Sequence, residues 1–273
     1  MCIVAIAWQL FDELPLVLLS NRDEFLQRPT EPLHQWADKP IFAGRDAQSG
    51  GTWLGIHQQP YDDFYEQNGR WAAVLNFRDG VQASNDERSR GALVADFLTS
   101  NISPMAFARQ ISLQDYAGFN LIVGDSKQAV IVNNRGHAPT PLYAGLHVFS
   151  NGQPEEGWFK TERLRGRLRQ EILPLISENS AADYWQDAAF KVLSDNTQAA
   201  VEKLPDTGID IKIEQALSSI YIESANLTGI ATEGTNNAMP SYGTRTQSIL
   251  TLQRDTAKDA GFQAILISRE CSH

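Results

Sequence analysis

The chain is poor in cysteine: of 273 residues only Cys2 and Cys271 are cysteines, and they stand at opposite ends. They form neither a metal-ligand spacing nor a disulfide framework, which fits a reducing compartment and a cytoplasmic protein. No uninterrupted apolar run approaches the roughly 20 residues that a membrane-spanning helix needs. The apolar opening lacks the positive n-region of a signal peptide, is broken by Asp12 and Glu13, and shows no small-residue cleavage site. Basic residues are in deficit, 23 Lys and Arg against 33 Asp and Glu, for a formal net charge of −10. With no Lys/Arg block long enough to track phosphates, nucleic acid is not expected as a partner. His34, His57, His137, His147 and His273 share no metal-ligand spacing. Also missing are a G-x-S-x-G elbow, H-E-x-x-H, a P-loop and a G-x-G-x-x-G opening a helix. No metal or cofactor is expected.

What remains is an ordinary globular composition, 42% apolar and without repeats. Short Val/Ile/Leu-rich runs read as strands: IVAIAW, PLVLLSN, GTWLGI, RWAAVLNF, FNLIVGD, QAVIVNN, LHVFSN, RTQSILTLQ and FQAILIS. Turn signals such as Arg78-Asp79-Gly80 and Gly124-Asp125-Ser126 favour antiparallel hairpins. Helical patterns come in groups: SRGALVADFLTS with SPMAFARQIS, then WFKTERLRGRLRQEIL, SAADYWQDAAFKVLSD and IEQALSSIYIES. Strands in runs and helices in runs predict an α+β fold, sheet packed on sheet with helices outside. No Gly/Ser/Pro linker divides the chain, so residues 1–273 are expected to form a single domain. The basic stretch WFKTERLRGRLRQE reads as a solvated helix face. Residues 57–70 read either as a flap over a site or as a long surface loop.

The chemistry gathers at the start. An isolated Cys2 is most simply a small hydrophobe in a strand. Removal of Met1, however, would leave one residue carrying both a thiol and a free α-amine. The amine's unperturbed pKa of about 7.7 to 8.0 lies close to the thiol's at about 8.5, so it can serve the nucleophile as base. The apolar run LVLLS then ends in Asn21, Arg22, Asp23 and Glu24.

The segments SNRDEF behind the MC start, Arg28-Pro29, AGRD…GGTWLGI, LNFR, SRGALVADFL, GFNLIVGD, SNG and SYGTR resemble the NRDE-motif family, also called the transport-and-Golgi-organisation family, along nearly the whole chain. The resemblance implies a fold of the N-terminal-nucleophile hydrolase type, a four-layer αββα sandwich of two antiparallel sheets between helices. The order Cys2, Arg22, Asp23, Asn76, Asn151, Arg245 is also similar, in residue type and roughly in spacing, to the active sites of cysteine N-terminal-nucleophile amidases such as bile-salt hydrolases and penicillin V acylases. That similarity implies a hydrolase of non-peptide amides or related acyl compounds, with Cys2 as nucleophile. Arg22 and Asp23 would flank the nucleophile, Asn76 and Asn151 would supply oxyanion contacts, and Arg245 would support the site. Asn21, Glu24, Arg45, Trp53 and Tyr242 are the motif positions that would bind substrate or support these residues. The alternative that the family implies is a non-catalytic binding or trafficking protein for haem, acyl-CoA or lipid. Read as structure alone, Arg22 and Asp23 form an ion pair, Asn21 a turn, Asn76 and Asn151 strand-end caps, and Arg245 a surface residue. Adjacent residues on a regular strand point to opposite faces, so a bulge or strand end is needed for both Arg22 and Asp23 to reach Cys2.

Overall fold

The computed structural model of the chain describes residues 2–58, 69–81, 84, 86–227, 241–255 and 261–272. It is an α+β sandwich built on two antiparallel sheets. The first sheet has five strands in the order β10-β1-β2-β11-β12: β10 (Gly145–Phe149), β1 (Cys2–Trp8), β2 (Leu16–Phe25), β11 (Tyr242–Asp255) and β12 (Gly261–Glu270). The second has seven, in sequence order from β3 to β9: β3 (Thr30–Gln35), β4 (Ile41–Asp46), β5 (Leu54–His57), β6 (Trp71–Asn76), β7 (Phe119–Gly124), β8 (Ala129–Asn133) and β9 (Thr140–Pro141).

β1 shows why the early apolar runs do not alternate with polar residues. Cys2, Val4, Ile6 and Trp8 point between the sheets, where they meet Leu54, Ile56, Trp71 and Ile122 of the second sheet. Ile3, Ala5 and Ala7 point the other way, against Leu164, Trp185 and Phe190 of the helical layer. A strand covered on both faces needs apolar residues at every position, which erases the period of two. The second sheet is covered likewise by α1 (Gly91–Thr99) and α2 (Pro104–Gln110), with Val94, Phe97 and Ala108 packed on Ala72, Leu121 and Val130. The layer on the first sheet holds α3 (Phe159–Arg167), α4 (Leu173–Ser177) and α5 (Ala182–Leu193), and α6 (Ile211–Ala216) follows in the chain. A π-helical turn at Leu168–Ile172 joins α3 to α4. Pro174 explains the widening, because proline has no N–H and its ring clashes with the carbonyl four residues back. Among the described residues no helix is long and apolar enough to cross a membrane.

Three expectations change. β3, β4 and the short β9 were not among the sequence's strand signals; β3 in particular is half-exposed and mixes charge with Pro32, so it lacks the pattern that marks a buried strand. IEQALSSIYIES stops being helical after Ala216, where the Ser218 hydroxyl turns back to the Gln215 carbonyl at 2.6 Å. The WFKTER stretch is more than a solvated face: Arg163 and Arg167 both reach Asp195 Oδ2, at 2.7 and 3.0 Å, and Lys160 is wholly buried. Residues 59–68 of the proposed flap lie outside the described residues.

Asn21 is not a turn former. It is fully buried within β2, and its amide nitrogen donates to the carbonyls of Leu193 and Ile220, each at 2.8 Å. It therefore ties the first sheet to the helical layer. Asn21→Ala is expected to lower the unfolding free energy by about 2–4 kcal/mol, because two buried carbonyls lose their donor. Urea unfolding followed by circular dichroism reads this, and a loss below about 1 kcal/mol would show that the tie carries little.

Candidate functional site

β2 lies between β1 and β11, paired on both sides as far as Arg22 and with β11 alone beyond it, so its charged end must find side-chain partners one by one. Cys2 pairs directly with Arg22 across β1 and β2. On the other side, Asp23 pairs with Thr244 and Arg22 with Thr246, which leaves Arg245 as the extra residue of a β-bulge. The irregularity that adjacent Arg22 and Asp23 require is thus supplied by the partner strand, and β1 ends opposite Arg22. A bulge re-aims side chains in this way at the cost of one ladder position.

Cys2 is 9% exposed, and the Asp23 backbone N–H donates to its sulfur. Burial pushes the thiol above its ordinary value. The positive amino end of the chain pulls it down, the Asp23 charge pushes it up, and Arg22 adds a smaller downward pull. Asp23 accepts a 2.6 Å hydrogen bond from the Thr244 hydroxyl on Oδ1 and receives the Tyr242 hydroxyl on its backbone carbonyl at 2.9 Å. Burial raises the Asp23 carboxyl, while the chain's amino end, Lys160 and the Thr244 bond lower it. The same burial holds the Tyr242 phenol well above its ordinary range.

Arg22, 5% exposed, stacks over the Trp53 ring at 4.1 Å, donates to Thr30 Oγ1 at 3.1 Å and lies 3.7 Å from the Glu24 carboxylate. Arg245 reaches the same Thr30 hydroxyl at 3.2 Å and donates to the carbonyls of Phe25 at 3.3 Å and Arg28 at 2.5 Å. It therefore braces the turn after β2. Arg28 closes that turn through Asp46 at 2.7 Å. Trp53 is held in turn by Gly44, where an added Cβ would come within 2.5 Å of the indole.

Asn76 ends β6 and Asn151 follows β10, and the two meet: Asn151 Nδ2 donates to the Asn76 backbone carbonyl at 2.9 Å. Asn151 is fully buried, and its Oδ1 lies 3.2 Å from Lys160 Nζ and 3.1 Å from the Ser150 hydroxyl, which also reaches the Cys2 carbonyl at 3.0 Å. Cys2, Arg22, Asp23, Asn76 and Asn151 thus share one end of the sandwich, with Trp53 and Glu24 against Arg22 and Tyr242 against Asp23. Arg45 does not join them. Its fork grips Asp38 at 2.9 and 3.0 Å and its guanidinium covers Trp36 at 4.2 Å.

Lys160 is absent from the candidates read in the sequence. It is 1% exposed in the first turn of α3, beside Asn151. Burial lowers its ammonium from 10.5 to about 8, assisted by Arg78 and opposed by Asp23, Cys2 and Glu214. Arg78 was likewise missed, although it closes the LNFR segment. It pairs with the buried Glu214 at 2.9 Å, covers Trp158 at 4.6 Å, and donates its backbone N–H to the Asn151 carbonyl at 2.7 Å. A cleft of about 490 Å³ opens beside it, lined among others by Phe77, Gly152, Trp158 and Thr207. A signal for Lys160 does exist in the sequence: a cation in a helix's first turn opposes the macrodipole and calls for another reason to be there.

This arrangement, a thiol and a carboxylate enclosed by fixed cations at the end of a two-sheet sandwich, defines a protein class with a buried polar site at its strand ends. The family model described as Transport and Golgi organisation 2 matches residues 1–260. The human Transport and Golgi organization protein 2 homolog is 30% identical over 252 residues, covering 88% of this chain and 83% of its own. The mouse homolog is 30% identical over 247 residues, covering 86% and 81%. An uncharacterized protein of Saccharomyces cerevisiae is 25% identical over 309 aligned positions, covering 99% and 93%. The chain belongs to the Transport and Golgi organisation 2 family.

The buried ammonium carries a stability signature. Its folded pKa lies below the unfolded one, so its contribution is greatest above pH 10.5 and is lost as pH falls through about 8. The difference in unfolding free energy between wild type and Lys160→Met should therefore move by roughly 3 kcal/mol in favour of wild type from pH 8 to pH 10.5. Taking the difference cancels the opposing drift from Tyr242, whose raised value remains in both proteins. A difference that stays flat with pH would mean that Lys160 holds its proton as a solvated lysine does.

Proposed function

We propose that the chain is a cysteine hydrolase of non-peptide amides or related acyl compounds, with Cys2 as an N-terminal nucleophile once Met1 is removed. The supporting observation is the meeting of Cys2, Arg22, Asp23, Asn76 and Asn151 at one point, from strands and strand ends far apart in the chain. The α-amine of Cys2 takes the thiol proton, and the thiolate attacks the acyl carbon to form a C–S bond. The tetrahedral oxyanion accepts hydrogen bonds from the Asn151 amide and a backbone N–H near Asn76. The C–N bond then breaks, and the amine leaves with the proton held on the α-ammonium. Water, deprotonated by the same amine, cleaves the thioester to give the carboxylic acid and the free thiol. Oxyanion donors of this kind contribute on the order of 3 kcal/mol each. Arg22, fixed by Trp53 and Thr30, favours the thiolate, and Asp23 orients the amine. A cytoplasmic location is part of this reading, since the thiol must stay reduced.

A second reading is a binding or trafficking protein for haem, acyl-CoA or lipid on the same fold. It is favoured by the burial that holds the Cys2 thiol up, and the relatives' names speak of transport and Golgi organisation. Arg22 would then face an anionic group of the ligand.

Intact mass of untagged protein, before and after iodoacetamide at mildly acidic pH, separates the readings. The hydrolase predicts loss of Met1 and single labelling at Cys2. It also predicts that Cys2→Ala abolishes turnover of any amide found in a screen while the unfolding midpoint is kept; an active Cys2→Ala protein would end the reading. Retained Met1, an inert Cys2 and saturable binding of haem or acyl-CoA would favour the second.

A further inference from the structure

The least explained group at the site is Lys160. Its ammonium is out of water, sits in the first turn of α3, and among the described residues has no carboxylate within ion-pair distance. Each of these circumstances disfavours a cation. Its hydrogen bond goes to a neutral amide oxygen, Asn151 Oδ1, at 3.2 Å. The groups that face it are Arg78 from the segment just after β6, Asp23 from β2, Cys2 from β1 and Glu214 from α6.

That bond and the Asn76 carbonyl together fix which way the Asn151 amide points. With the ammonium donating to Oδ1, Nδ2 is directed to the Asn76 carbonyl at 2.9 Å, and one N–H remains for another acceptor. A flipped amide would set its NH₂ against the ammonium and its oxygen against the Asn76 carbonyl, both repulsive. The Ser150 hydroxyl has one proton and two acceptors within reach, the Cys2 carbonyl and Asn151 Oδ1, so it is a shared donor where Lys160 is a dedicated one.

We propose that Lys160 is a positioning residue of the Cys2 site: its ammonium locks the Asn151 amide with the N–H edge toward Asn76 and supplies the positive charge that Asp23 and a Cys2 thiolate face. The consequence for the hydrolase, on which this role builds, is that the oxyanion donor and the thiolate depend on one proton. Below pH 8 Lys160 is charged and both are in place, and above it both weaken.

Two readouts on the full-length protein test this. The first is the side-chain ¹⁵N–¹H signal of Asn151, assigned by its loss in Asn151→Asp and followed across a pH range bracketing 8. It should titrate with a midpoint of about 8 in wild type and lose that titration in Lys160→Met. The second is the rate of Cys2 alkylation by iodoacetamide, with Cys271 labelling as the internal control for folding. Lys160→Met removes a cation from beside the thiol, so its rate should fall severalfold and up to about tenfold below pH 8, one pKa unit being a factor of about ten in thiolate. The gap should close above pH 8, where wild type loses the same charge; a purely structural lesion would slow Cys2 equally at every pH. An Asn151 signal that does not move, or a rate ratio independent of pH, overturns the role. Should Lys160→Met fail to fold, the ¹³Cε signal of Lys160 in wild type decides: it must titrate with the same midpoint as the Asn151 signal, and different midpoints overturn the role. If Cys2 is inert in wild type, the hydrolase reading falls, and the Asn151 titration still decides whether Lys160 holds the amide.

Discussion

The site depends on β2 being an interior strand whose last residues are charged. With β1 on one side and β11 on the other, the backbone from Leu16 to Arg22 is paired on both sides, so Asn21 and Arg22 are carried into the interior with no freedom to turn back to water, and Asp23 follows them where β1 has ended. Buried polar and charged groups are costly unless partnered, and the surrounding structure supplies partners: Leu193 and Ile220 carbonyls for the Asn21 amide nitrogen, the Trp53 face and Thr30 for Arg22, and Thr244 for Asp23. The bulge at Arg245 belongs to the same solution. It shifts β11 by one residue where Arg22 and Asp23 part company, and uses the displaced arginine to brace the turn that holds Thr30.

Charge balance around Cys2 follows from this confinement. Desolvation dominates, raising the Cys2 thiol and the Asp23 carboxyl and lowering the Lys160 ammonium. The Asp23 and Lys160 shifts run toward each other, whereas the Cys2 thiol moves further from neutrality and has the chain's amino end, the Asp23 backbone N–H and Arg22 to offset its burial. Arg78 and Glu214 pair nearby at 2.9 Å, and Asp23 faces both the chain's amino end and Lys160. The cleft beyond Arg78 is walled by Phe77 and Trp158, and its lining reaches Arg78 and Gly152 but none of Cys2, Asp23, Asn151 or Lys160.

Much of the sandwich was legible because doubly covered strands write themselves as unbroken apolar runs, as in β1, β6 and β8. β3 and β4 were not, since their half-exposed residues follow neither a two-residue nor a helical period. Cys2, Arg22, Asp23, Asn76 and Asn151 could be nominated from residue type and motif, whereas Arg45 was nominated with them and lies in a separate stack on Trp36. Lys160 escaped because a lysine among arginines and glutamates on a helix looks like a solvated face; only its position one residue into the helix hinted otherwise.

What the sequence by itself determined is the alternation of apolar runs and turn signals, hence the two-sheet α+β class, and the placing of a cysteine and a charged cluster at strand ends, because period and local chemistry are properties of neighbours in the chain. What only the tertiary structure decided is which charges are buried together. Desolvation and Coulomb attraction depend on distances between β1, β2, β6, β10 and α3, and those distances are set by sheet register, by one bulged residue and by the packing of helix on sheet, none of which is local in sequence.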